Sequence, residues 1–356
     1  MRVLSLVGAR PQIIKEAVLH LEFRKRGIRE ILVHSGQHYD YNMSDVFFEV
    51  LGIRKPDYNL GVGSDTHARM TARIMMAFEE VLLKERPDVV IVYGDTNTTL
   101  AGALTAAKLK IPVAHVEAGI RQKPKDMPEE INRVITDRVS TLLFAPSKLA
   151  VENLKKEGIE EGVHFTGDVM YDLFLMMRDR FDFSIVRKLG LKENDYVVVT
   201  IHRDFNTDDP SNLSSIIYQL EKIARDMRVI FPIHPRTRKR LKEFGLEERI
   251  KRVEIIDPLD YLSMMGLICR SKAVITDSGG LQKEAYFCKK RAVVVMPDTG
   301  WRELIEMGWN VLSKPGSISQ NFVELLSKRR EHIEEIYGNG KSRKKIVNFI
   351  NNMKGR

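Results

Sequence analysis

Cysteine is nearly missing from this chain: its 356 residues hold only Cys269 and Cys288. Two thiols are too few for a disulfide framework or a cysteine-rich metal site, and both fall in helical-looking stretches, where small buried thiols are common. Long apolar runs are missing as well. None approaches the roughly 18 residues that would predict a membrane span. The opening MRVLSLVGARPQ has too short an apolar segment, with a polar turn after it, to read as a signal peptide. The expectation is a cytoplasmic protein without a membrane partner. Low-complexity tracts, short repeats, a GxGxxG motif and a P-loop Lys-Ser/Thr pair are all absent, which removes support for a dinucleotide fingerprint and for ATP hydrolysis.

What is present in quantity is basic charge, +9 net, in a chain that is 43% hydrophobic. The surplus favours anionic partners. Its distribution argues against nucleic acid, because the clusters HPRTRKRLK and KSRKK are not interleaved with aromatics and no zinc or RNA-binding signature accompanies them. Length and apolar content suffice for a large core and favour two domains.

Short β-branched runs alternate with longer amphipathic ones, the pattern of parallel sheets with crossover helices. Strands are expected over residues 3–7, 31–34, 89–93, 113–116 and 142–145, and again over 196–201, 229–233, 253–256, 273–276 and 292–296. This predicts an α/β chain of two Rossmann-like doubly wound domains facing a central cleft, residues 1–167 and 168–337, with a basic C-terminal helix within 338–356 packing back on the first.

In such sheets ligands bind beyond the carboxyl ends of strands, so the residues just after strands carry the information. Asp95 follows one predicted strand and Glu117 the next. Right-handed crossover makes these strands parallel and puts both carboxylates on one sheet edge. His115 shares the strand face of Glu117; one histidine and one acid make a poor metal site, so it reads as structural and no metal is expected. In KDMPEEINRV, Pro128 suits the first helical position and Asp126 a cap, leaving Glu129 and Glu130 in a first turn where the helix dipole favours acids. Arg10 and Lys15 flank a helix start after the first strand and suggest an anion site. In the second half, His202 and Arg203 directly follow a strand, as do His234 and Arg236. Ser278, Gly279 and Gly280 follow another and open a helix, so bare amides can approach a phosphate, with Glu284 within reach of whatever binds there.

Taken in order, GARPQ, YGDTNTTLAGAL, HVEAGIR, MPEEINR, IHR, IHPRT and TDSGGLQKEA resemble the non-hydrolysing UDP-N-acetylglucosamine 2-epimerases over nearly the whole chain. The resemblance implies a GT-B fold and a homodimer with a UDP-sugar substrate and no cofactor. It implies that the Ser278, Gly279 and Gly280 amides take the diphosphate and Glu284 the ribose, helped by Arg10 and His202, while Lys15, Asp95, Glu117 and Glu129 act near the sugar. The implied chemistry removes the proton at carbon 2, expels UDP to leave 2-acetamidoglucal, and adds UDP back with protonation from the other face. A carboxylate base, a second proton donor and an anion cradle are what such a reaction needs.

Four positions depart from the common pattern: Gln12 stands for an acid, Tyr93 for Gln, Trp301 for Arg and Phe205 for an acid. The first three resemble the branch acting on UDP-2,3-diacetamido-2,3-dideoxyglucuronate. Gln37, His38 and Arg73 only partly echo the bacterial allosteric site. A GT-B glycosyltransferase and a nucleotide-sugar sensor are the alternative readings.

Overall fold

The computed structural model describes residues 1–36 and 51–353. Among these the chain forms two compact units, Met1–Met176 with the segment from Glu334 onward, and Met177–Ile333.

The first unit is built on strands β1 (Arg2–Val7), β2 (Arg29–His34), β3 (Tyr58–Asn59), β4 (Val89–Tyr93), β5 (Val113–Val116), β6 (Leu142–Ala145) and β7 (Val163–Phe165), in the order β3-β2-β1-β4-β5-β6-β7. Every neighbouring pair is parallel. The sequences explain this: β4 reads VVIVY and all five residues are buried, as a strand covered on both faces requires. Order reverses between β1 and β4, the place where doubly wound sheets bind ligands. Gly102 lets the Asn97–Lys108 helix press onto these strands, since a Cβ there would lie 2.5 Å from Leu6 Cδ2. The Ser342–Asn352 helix packs on the Arg10–Lys25 helix, anchored by Asp172, whose carboxylate accepts the Ser342 and Arg343 N–H groups at 3.0 Å each.

The second unit repeats the plan with β8 (Tyr196–Thr200), β9 (Arg228–Pro232), β10 (Glu254–Ile256), β11 (Ala273–Thr276), β12 (Ala292–Val294) and β13 (Val311–Leu312). Their order is β10-β9-β8-β11-β12-β13, again parallel throughout, with the reversal between β8 and β11. All ten expected strands are present. The three not anticipated, β3, β7 and β13, have two or three residues each, too short to show a period.

One expectation is overturned. Cys269 and Cys288 are not separate thiols but a disulfide, with Cα atoms 5.0 Å apart. The Tyr261–Arg270 and Gly279–Phe287 helices enter and leave β11, so both run against the strand and end on the same side. Counting cysteines says nothing of this proximity, which crossover topology creates.

Candidate active site

At the β1/β4 reversal the first unit gathers cations and carboxylates. Lys15, on the Arg10–Lys25 helix, is buried with its Nζ 2.8 Å from Glu117 Oε1. Burial pulls its ammonium pKa down, but Glu117, with help from Asp168 and Asp95, more than compensates and holds it above the usual lysine value. Asp95 is paired with Arg133 of the Pro128–Val139 helix, and the same guanidinium reaches Glu130 at 3.0 Å. Arg133 is likewise pushed up, the desolvation it suffers being outweighed by Asp95 and Glu130.

The turn carrying Asp95 is held at three successive carbonyls. Tyr93 O accepts from Gln12 Nε2 and Thr99 Oγ1 at 2.7 Å each. Gly94 O faces His115 Nε2 at 2.7 Å, and Asp95 O accepts from Asn132 at 2.9 Å. Gly94 has φ +65°, and a Cβ there would stand 3.6 Å from Glu117 Oε1 and 3.7 Å from Lys15 Nζ, so the turn lies directly against that ion pair. Asp95 does not cap the following helix; Thr96 does, accepting from the Thr99 N–H at 3.3 Å. The acid turns to Arg133 instead.

In the second unit the β8/β11 reversal brings together the other predicted group. Asp277, fully buried, accepts the N–H of His202 at 3.0 Å and that of Arg203 at 2.9 Å, and His202 Nδ1 lies 3.1 Å from its carboxylate. Ser278 caps the Gly279–Phe287 helix through the Leu281 N–H. A Cβ on Gly279 would meet nothing within 4 Å, and neither Gly279 nor Gly280 has a positive φ. The unit's own packing does not demand glycine at Gly279, and the opening amides of a helix are ones that it leaves unsatisfied. Bare backbone at a helix start is an anion seat. Glu284 lies on the same helix, half-buried.

The predicted residues thus fall in two groups: Lys15 paired with Glu117 and with Asp95 as a further charge nearby in the first unit, and His202, Ser278, Gly279 and Gly280 around Asp277 in the second. Arg10 is exposed at the first position of its helix. Glu129 is half-buried, and the carboxylate that joins the Asp95 network is its neighbour Glu130. Asp126 does not cap that helix; the cap position falls to Met127, because Pro128 already occupies the first turn. Sequence reasoning missed Arg133, Asn132 and Asp277 as partners. The spacing from Glu130 to Arg133, one helical turn, was the available signal for the first.

The departures from the family pattern fall in both units. Gln12 is buried, its Oε1 accepting the Gly8 and Ala9 N–H groups at 2.8 and 3.0 Å while its Nε2 donates to Tyr93 O. Tyr93 is buried too, its hydroxyl 3.0 Å from Ser5 Oγ. Both serve the first unit's interior. Trp301 lies under the Lys283 ammonium, 3.4 Å from the ring centroid, and Phe205 is 40% exposed. Arg73 pairs with Asp65, whereas Gln37 and His38 lie outside the described residues.

Two doubly wound units, one pairing carboxylates with cations and the other opening a helix on bare glycines after a strand, make up a GT-B fold. The profile of the UDP-N-acetylglucosamine 2-epimerase family matches residues 21–351. A UDP-2,3-diacetamido-2,3-dideoxy-D-glucuronate 2-epimerase of Pseudomonas aeruginosa is 44% identical over 98% of this chain and 99% of its own. A UDP-N-acetylglucosamine 2-epimerase homolog of Methanococcus maripaludis is 45% identical over 99% and 100%. Among solved structures, the Methanocaldococcus jannaschii UDP-GlcNAc 2-epimerase in complex with UDP-GlcNAc and UDP matches with a TM-score of 0.87 at 40% identity, covering 99% of this chain and 100% of that one. The chain belongs to the UDP-N-acetylglucosamine 2-epimerase family and is an isomerase.

Proposed function

We propose that the protein interconverts UDP-N-acetylglucosamine and UDP-N-acetylmannosamine by elimination and re-addition of UDP. A carboxylate takes the carbon-2 proton, the carbon-1 to oxygen bond breaks with its electron pair leaving on UDP, and a carbon-1 to carbon-2 double bond remains in 2-acetamidoglucal. Return of the UDP oxygen to carbon 1 and protonation of carbon 2 from the opposite face complete the inversion. Asp95, Glu117 and Glu129 supply the base and the acid, and Lys15 offsets charge beside them. The amides of Ser278, Gly279 and Gly280 bind the diphosphate, Glu284 the ribose, with Arg10 and His202 assisting the departing UDP. The observation that carries this reading is the side-by-side pairing of Glu117 with Lys15 and of Asp95 with Arg133, because proton exchange needs carboxylates held where charge develops.

A second substrate, UDP-2,3-diacetamido-2,3-dideoxyglucuronate, is favoured by the 44% identity to the Pseudomonas aeruginosa epimerase of that sugar and by Gln12, Tyr93 and Trp301, which resemble its branch. A cytoplasmic homodimer is part of the same proposal. No helix among the described residues is long and apolar enough to cross a membrane. Met76 and Leu83 are exposed apolar residues on the His67–Glu85 helix.

The test is incubation of each UDP-sugar alone in heavy water. Deuterium at carbon 2 of an epimerised product supports the epimerase, and Asp95→Asn should abolish it while UDP affinity stays within about threefold. Transfer only in the presence of an acceptor, or UDP binding with no exchange from either sugar, would replace this reading by a transferase or a sensor.

A further inference from the structure

His115 is fully buried in β5, and both its ring nitrogens face groups that only accept: Nε2 the Gly94 carbonyl and Nδ1 the Asp137 carboxylate, each at 2.7 Å. A carbonyl only accepts, so Nε2 carries the hydrogen of the bond to Gly94. Asp137 holds the other edge of the ring. Its other oxygen accepts from the Gly119 N–H at 3.1 Å and from Arg121 at 2.7 Å, and Arg121 is fixed in turn by a two-pronged bond to Glu157 at 2.7 and 2.6 Å. Burial would raise the Asp137 pKa, but His115 and Arg121 together bring it below the usual aspartate value.

We propose that His115 is a positioning residue for proton exchange, a buried side chain that grips the Gly94 carbonyl and so fixes the turn from which Asp95 reaches substrate. The inference rests on Asp95 being an acid/base group. Of the three gripped carbonyls in this turn, the Gly94 oxygen is the central one, and His115 reaches it at 2.7 Å. Its neighbours are independent: Gln12 and Thr99 hold Tyr93 O, and Asn132 holds Asp95 O. Loss of the His115 bond therefore frees the middle of the turn without releasing its ends. Misplacement of a reacting group by about 1 Å costs on the order of a hundredfold in rate.

Two near-isosteric variants separate positioning from stability. His115→Gln extends its amide to about the Nε2 position and can still donate to Gly94; His115→Asn reaches only the Nδ1 position and can still donate to Asp137. Each is assayed with whichever UDP-sugar exchanges deuterium, for kcat, KM, carbon-2 exchange and UDP affinity, with folded fraction measured by denaturant titration. The expected result is a kcat and exchange rate about a hundredfold down in His115→Asn, about tenfold restored in His115→Gln, and KM and UDP affinity within about threefold in both. If the two variants turn over alike at equal folded fraction while Asp95→Asn is inactive, the positioning role is wrong and the acid/base reading stands. If Asp95→Asn itself retains full turnover, the acid/base reading fails and this inference with it.

Discussion

Lys15→Met removes the cation at the centre of the carboxylate cluster while keeping an apolar stem of similar length. The side chains of Lys15 and Glu117 are only 8% and 15% exposed, so the substitution strands a negative charge away from water, with Asp95 and Asp168 also facing the lost ammonium. Breaking one partner out of a buried pair costs about 3–5 kcal/mol. A unit of about 150–250 residues loses roughly 2–4 °C per kcal/mol, which puts the expected drop at about 6–20 °C. Lys15→Met/Glu117→Gln removes both charges and should recover much of that loss, since a missing pair is far less costly than a broken one. The pH dependence has a definite sign. The folded-state pKa of Lys15 lies above 10.5, despite burial, because Glu117 outweighs desolvation. The pair's contribution is then complete below about pH 10.5 and is lost as pH rises through the folded value. Calorimetry of wild type and both variants should show a flat gap between about pH 6 and 9 that narrows only in stronger alkali. A single variant melting within about 2 °C of wild type, or a double variant showing the full additive loss, would refute the pairing as an energetic unit.

Glu16 makes a contrasting case. It is 2% exposed, its Oε1 lacks a hydrogen-bond partner, and burial with Glu30 beside it pushes its carboxyl well above the usual 4.5. Its stabilising share is present below about pH 4.5 and disappears as pH rises through the folded value, so Glu16→Gln should gain urea stability over wild type as pH increases; a gain that shrinks toward pH 8 would contradict this. Glu284→Ala should weaken UDP binding at least about tenfold by calorimetry with the melting temperature nearly unchanged, as expected where a carboxylate reads a ligand hydroxyl. Unaltered UDP affinity would remove Glu284 from the ribose role.

The parallel architecture was legible because buried strands such as VVIVY and AVIT are nearly continuous apolar runs, and Asp95, Glu117 and Ser278 became site candidates by their place directly after strands. What sequence could not display was pairing at a distance: Arg133 against Asp95 is separated by 38 positions, Asp277 against His202 by 75, and Cys269 against Cys288 by a crossover. Gln12 and Tyr93 read as marks of one branch of the family, and their bonds to Gly8 and Ser5 inside the unit could not be seen in sequence.

Glu117 shows how the fold converts strain into placement. Side chains two apart on a strand share a face, so a Glu117 continuing β5 would point with His115 toward Asp137. Instead its φ is +76°, a left-handed conformation that costs a residue with a side chain on the order of 1–3 kcal/mol. The kink swings the carboxylate to Lys15, on a helix that packs with Ser342–Asn352, whereas Asp137 belongs to the helix group formed by His67–Glu85, Asn97–Lys108 and Pro128–Val139. The Glu117 and Ala118 N–H groups both donate to Phe144 O, at 3.1 and 3.2 Å, which fixes the kink from the neighbouring strand. With Glu117 facing Lys15 and Asp95 facing Arg133, each carboxylate has its own cation. Two acids crowded together without such partners would be driven to share one proton. The two-carboxylate exchange proposed above rests on that separate compensation.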